Sequence, residues 1–216
     1  EFHHVLRQNM IKNQPKSSSE NTYVPYGYVY VPGADSTTSE SHSTANYKGR
    51  ATLLALIRTL RTFPGCENLK ILDLKTETAV RETYRIDGLY KITHDDYLAG
   101  KVFEDAISNS FYPIDLHREG KTIYQEFLEP NVVASIPLRA LIPKKSKNFL
   151  VAGRCVSSDR MANSALRVQA SSMGMGQAAA AAAVLANNLG VSPHDVPIED
   201  LKKLLRNHGG ILPLRT

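Results

Sequence analysis

Apolar residues recur along this chain at two spacings, and each spacing predicts its own kind of element. Leu53, Leu56, Ile57 and Leu60 repeat at helical intervals, with Arg50, Arg58 and Arg61 around them. A helix is therefore predicted over 45–62, stopped by Pro64 and Gly65. A second is expected over 95–108, because Thr93 suits an N-cap and Asp95 and Asp96 suit a first turn. The alanine-rich stretch predicts a long helix over 169–189, closed by Gly190. A last helix is expected over 198–207, starting after Pro197 and ending at Gly209.

Strand-like patterns lie between these helices. "TYVPYGYVYV" (22–31) reads as an edge strand or bulge, given Pro25 and Gly27. Residues 69–80 and 84–93 alternate well enough for strands, with Asp87 and Gly88 supplying a turn or bulge. "TIYQEFL" and "NVVASIPLRALI" read the same way. "KNFLVAGR" (147–154) is a continuous apolar run and reads as a buried strand ending at a ligand crevice. Residues 1–20 are polar and read as a linker or loop, and 32–46 as a linker or an ordered loop covering a site. Mixed helices and strands without a repeat predict an α/β protein, α+β in parts.

Composition narrows the function without naming it. The chain has 216 residues, 42% hydrophobic and 22% charged, which is globular. The net charge of +5 is spread out, with "KKSK" at 144–147 its tightest knot, so nucleic-acid binding is not expected. The two cysteines, Cys66 and Cys155, exclude a disulfide scaffold and make no metal-ligand pattern, while one long-range disulfide stays open. The absence of an eighteen-residue apolar run predicts no membrane span and a soluble protein, with the cytoplasm favoured. The start "EFHHVLRQNM" has neither an initiator Met nor a signal-like core, which predicts an excised or processed fragment.

Candidate chemistry gathers around "SSMGMGQAAAAAAVLA" (171–186). Gly174, Gly176 and Ala179 match G-x-G-x-x-A, a dinucleotide fingerprint. The context rejects it, because "LRVQASSM" before it and "GVSPHDVPIED" after it are not buried strands. Position offers another reading. A helix starting near 168–172 presents free N–H groups and positive potential, and small residues at 170–174 admit a ligand close to the backbone. A close-packed helix with no ligand explains the same residues equally well.

Arg154, Arg160 and Arg167 suit carboxylate or phosphate recognition, or ordinary surface salt bridges. Arg81 and Arg85 share a strand face, opposite Glu82. Asp115 and His117 form either a carboxylate-oriented imidazole or a plain loop with a solvated histidine. His42, His94, His194 and His208 read as surface or capping residues. Cys155 reads as a reactive thiol or, more commonly, a buried free cysteine.

The run from "IPLRALIPKKSKNFLVAGR" to "SSMGMGQAAAAAAVLA" (136–186) resembles the C-terminal signature of FAD-dependent oxidoreductases related to the glutathione-reductase-like flavoproteins. "GRATLLALIRTLR", "AVRETYRIDGLYKIT" and "YPIDLH" agree in order, so the resemblance covers roughly 45–210. It implies FAD as cofactor, a small-molecule substrate, and hydride or electron transfer through the flavin. It further implies a substrate-domain portion over 1–135 and the C-terminal part of a Rossmann-like FAD-binding domain over 136–216. "NFLVAGR" would be a returning strand that brings Gly153 and Arg154 to the cofactor. Ser171, Ser172, Met173, Gly174 and Met175 would lie at the pyrimidine edge of the flavin, and Arg167 is a further cofactor-binding candidate. Arg81, His117 and Arg139 become candidates for the substrate side.

One departure is large: no G-x-G-x-x-G with an acidic partner is present. The ADP-binding segment is then expected in a longer parent chain or in another chain, and this piece alone is expected to be inactive. The alternative expectation is a non-catalytic binding or interaction module that keeps the scaffold without its cofactor.

Overall fold

Thr38 starts the first helix, α1 (Ser39–Leu60), through a capping box with Ser41. The Ser41 backbone N–H donates to Thr38 Oγ1 at 3.1 Å, and the Thr38 N–H donates to Ser41 Oγ at 3.2 Å. Such a cap contributes about 1 kcal/mol, which explains why the helix begins inside the stretch expected to be a polar loop. The structure, a computed structural model, describes residues 31, 35–71, 74, 76–82, 84–116 and 124–213. The expected strand at 22–31 lies outside these residues except for Val31, and so does the linker at 1–20.

Two compact units make up the chain, Glu1–Arg81 and Glu82–Thr216. In the first, α1 buries Ala45, Leu53, Ile57 and Leu60, and Leu69 joins the last three in a small core. The Arg61 guanidinium donates to Leu69 O at 2.7 and 2.9 Å. The expected strand over 69–80 does not form among the described residues. This segment binds the helix instead: the Thr78 N–H donates to Asn46 Oδ1 at 2.7 Å, and Thr78 Oγ1 donates to Ala45 O. Gly49 makes room for it, since a Cβ there would collide with Thr78 Oγ1.

In the second unit, α2 (His94–Leu98) starts from a Thr93–Asp96 capping box but ends far short of the predicted 108. Gly100 turns the chain at φ +60°, a conformation glycine takes without strain, and its N–H donates to Tyr97 O. The chain then enters β1 (Ala106–Ser110), followed by β2 (Ile114–Leu116), β3 (Tyr124–Glu126) and β4 (Ala134–Pro137). β1 pairs antiparallel with β4, Ser110 opposite Ala134, with an irregularity between Ala106 and Ser108. β2 pairs antiparallel with β3, Asp115 opposite Gln125. After Pro137 the strand gives way to a 3-10 turn, Leu138–Leu141. The stretch 84–93 makes only single bridges, Gly88 to Pro143 and Ile92 to Ser158.

The run 147–154 is not a strand either. Phe149 is exposed, and the one ladder-like bond is from the Val151 N–H to Leu141 O at 2.9 Å. A strand needs a neighbour along its whole length, and the described residues supply Leu141 alone. A short helix, α3 (Arg160–Leu166), follows, capped by Asp159 accepting from the Ala162 N–H at 2.8 Å.

The last two helices match expectation to the residue: α4 (Gln169–Leu189), closed by Gly190 at φ +68°, and α5 (Ile198–Asn207). α4 lays Met175, Ala178, Ala182 and Ala186 into the core. Its alanines add little buried area, but they let the helix approach β1 closely. α5 buries Leu201 and Leu205, each worth roughly 1.5–3 kcal/mol of transfer free energy. No described helix is long and apolar enough to cross a membrane. Cys66 and Cys155 are free thiols.

Candidate functional site

Three segments of the second unit are laced together by backbone hydrogen bonds beside the start of α4. Ile86 N–H donates to Cys155 O, Leu89 N–H to Ile142 O, Ile92 N–H to Ser157 O and Ser157 N–H to Ala140 O, all between 2.9 and 3.1 Å. Gly88 is required at the crossing, because a Cβ there would lie 2.6 Å from that of Ser157. Asn163, buried on α3, donates to Arg154 O and Ser158 Oγ, both at 3.1 Å, and ties the next loop down. Within that loop Gly153 sits at φ +87°, and its carbonyl accepts from the Val156 N–H. A Cβ on Gly153 would be 3.7 Å from Ser172 Oγ, so the loop faces the first turn of α4.

That first turn carries no side-chain cap and no acidic residue. Val168 cannot cap, so the N–H groups at 169–171 keep their donor capacity and the positive end of the helix dipole is not neutralised locally. An anionic or electron-rich ligand edge suits such a turn.

The candidate residues divide between the two sides of α4. Ser171 and Met175 are buried, and a Cβ on Gly174 would collide with Ser108 Oγ on β1. Gly174 is therefore needed for helix–strand packing. Ser172 is half-buried beside Gly153, and Met173 is 75% exposed. Arg154 is exposed at the loop's edge. Arg167 ends α3, and its Nη2 donates to Asp115 O at 3.0 Å. Arg139 holds Asp105 through both arms of its fork, Nε to Oδ2 and Nη2 to Oδ1, each at 3.0 Å. The Asp105 hydrogen bond raises the pKa of this guanidinium, which also lies 5.4 Å from the centre of the Tyr90 ring. Arg81 belongs to the first unit and is exposed, while His117 lies outside the described residues. Arg160 pairs with Glu82 at 2.9 Å.

Comparison with known families decides the wider identity. The model of one family, described as FAD dependent oxidoreductase, matches residues 4–205. The chain belongs to the FAD dependent oxidoreductase family. No curated protein and no solved structure matches it. The family's cofactor is FAD, and the chemistry of the α4 turn suits an electron-rich group. A positive-φ glycine puts no side chain beside the turn, the N–H groups are uncapped, and no carboxylate in the first turn opposes negative charge.

A second polar cluster in this family member joins α2, β3 and α3. His94 Nε2 lies 2.7 Å from Glu126 Oε2, and Tyr124 donates to the same oxygen at 2.9 Å. The His94 backbone N–H donates to Asp159 Oδ2 at 2.7 Å, and Asp159 also caps α3. The Glu126 hydrogen bond raises the His94 pKa against a desolvation that lowers it, with Asp95 and Asp159 adding to the rise. Hydrogen bonds from His94 and then Tyr124 lower that of Glu126. The sequence reading took His94 for a surface or capping residue. Its partner is 32 positions away, and no local spacing signals such a pair.

Proposed function

We propose that this chain carries the flavin-facing portion of an FAD-dependent oxidoreductase that acts on a small-molecule substrate. The observation that carries this reading is the uncapped first turn of α4 set against Gly153, in a chain of this family. FAD, when bound, supplies the two-electron redox chemistry. The chain's own part is binding and electrostatics. Backbone N–H groups at 169–171 and the Ser172 hydroxyl meet the electron-rich edge of the flavin, and the helix dipole favours negative charge there. Gly153 keeps the loop out of the ligand's way, with Arg154 and Arg167 flanking it.

In this reading, residues 1–135 belong to a substrate-domain portion, and Arg81, His117 and Arg139 are the candidates for the substrate side. Residues 136–216 belong to the C-terminal part of a Rossmann-like FAD-binding domain. A segment outside these residues seats the ADP half of the cofactor, in keeping with the lack of a glycine fingerprint in the sequence.

A second reading, a non-catalytic module that keeps the scaffold, draws on the packing of Ser171, Gly174 and Met175, which β1 and the core explain without any ligand. Absorbance of the purified full-length protein in the visible flavin bands separates the two. Flavin bands, lost in a Ser172→Phe variant that puts a bulky ring beside Gly153, are the expected result. A colourless protein that takes up no added FAD favours the module.

A further inference from the structure

A line of buried hydroxyls runs from the core to the first turn of α4. Tyr97, Ser110 and Ser171 are each no more than 2% exposed. Tyr97 Oη is 2.7 Å from Tyr112 O and 2.9 Å from Ser110 Oγ, and Ser110 Oγ is 2.8 Å from Ser171 Oγ. The sense of this line follows from counting protons. A carbonyl only accepts, so Tyr97 donates its single proton to Tyr112 O. Tyr97 must then accept from Ser110, and Ser110, its proton committed, must accept from Ser171. Burial pushes the Tyr97 phenol up to about 12, against the opposing hydrogen bonds of Ser110 and Tyr112, so the proton that sets the sense stays in place at neutral pH.

The Ser171 hydroxyl therefore points its donor inward. Ser172 Oγ, by contrast, makes no hydrogen bond among the described residues and lies on the Gly153 side. We infer that Tyr97 is a positioning residue for the flavin-facing turn: acting through Ser110, it locks Ser171 inward, so that the turn presents only backbone N–H groups and the Ser172 hydroxyl to the cofactor. This rests on the placement of the flavin edge at the α4 turn. Without the Tyr97 hydroxyl, Ser110 regains a free proton and the sense of the Ser110–Ser171 bond is no longer set.

The test compares full-length protein loaded with FAD in three forms: parent, Tyr97→Phe and Ser172→Phe. Two quantities are read, the FAD dissociation constant and the midpoint potential of the bound flavin. Tyr97→Phe is expected to weaken FAD binding about tenfold, the size of one buried hydrogen bond, and to lower the potential. A purely structural tyrosine would leave the potential of the flavin that still binds unchanged. If Tyr97→Phe binds FAD with the parent's affinity and potential while Ser172→Phe releases it, the positioning role is overturned and the site stands. If Ser172→Phe retains FAD at parent affinity, the site falls, and the inference with it. Should Tyr97→Phe not fold, Ser110→Ala breaks the same line one link later and is judged by the same two readouts.

Discussion

Helix α2 is only five residues long, and its two ends are anchored by opposite kinds of chemistry. At one end, Tyr97 enters the neutral, fully buried line to Ser110 and Ser171. At the other, His94 meets Glu126, each side chain about one-third exposed and each titratable. The buried anchor gains from the low dielectric around it, and it costs most when broken, because its partners are then left unsatisfied away from water. The exposed anchor is screened and depends on pH, so it contributes little and only conditionally. A helix too short to be stable alone is thus held firmly toward α4 and loosely toward the β2–β3 hairpin.

The most direct way to break this comparison is at Tyr97. Tyr97→Ala removes a large core side chain along with its hydrogen bonds and is expected to cost about 3–5 kcal/mol in urea unfolding. A loss below about 1 kcal/mol would show that the buried anchor is not the stronger one. A smaller effect is expected at Gly174, next to the end of the same line. Gly174→Val forces methyl groups into Ser108 and is expected to destabilise by about 1–3 kcal/mol. Gly176 on the same helix has open space around it, so Gly176→Ala should stabilise by up to about 1 kcal/mol through helix propensity alone. Equal outcomes at the two glycines would mean that contact with β1 does not matter.

The smallest effect is expected at the exposed anchor, and its size depends on pH. The His94 pKa is raised, so its contribution is complete below the ordinary value of 6.5 and is lost as pH rises through the folded-state value above it. The Glu126 pKa is lowered, so its contribution is complete above 4.5 and is lost as pH falls through the folded-state value. Both are fully present only between those limits. His94→Gln is therefore expected to cost at most about 1 kcal/mol within that window and to flatten the alkaline decline. A pH–stability curve identical to the parent's would remove the ionic anchor from the account.

Legibility in the sequence follows the range of the interactions. The boundaries of α4 and α5 were readable because alanine propensity, Gly190, Pro197 and Gly209 all act within a turn of the helix end. Residue 108 failed as a helix end because Gly100 turns the chain and β4 recruits residues 106–110. α3 was not legible because it is only seven residues long, too short for periodicity to register. The start of α4 was legible, whereas the division of 171–175 into packing and outward-facing positions was not.

By itself, then, the sequence determined the local elements whose caps and periodicity lie within a few residues, and the family, whose signature is spread in order along most of the chain. The tertiary structure alone decided that Gly174 belongs to Ser108, that Ser171 meets Ser110, and that His94 meets Glu126. The physical reason is distance along the chain. Ser110 and Ser171 are 61 positions apart, and such a pair exists only once β1 and α4 have packed and excluded water from between them.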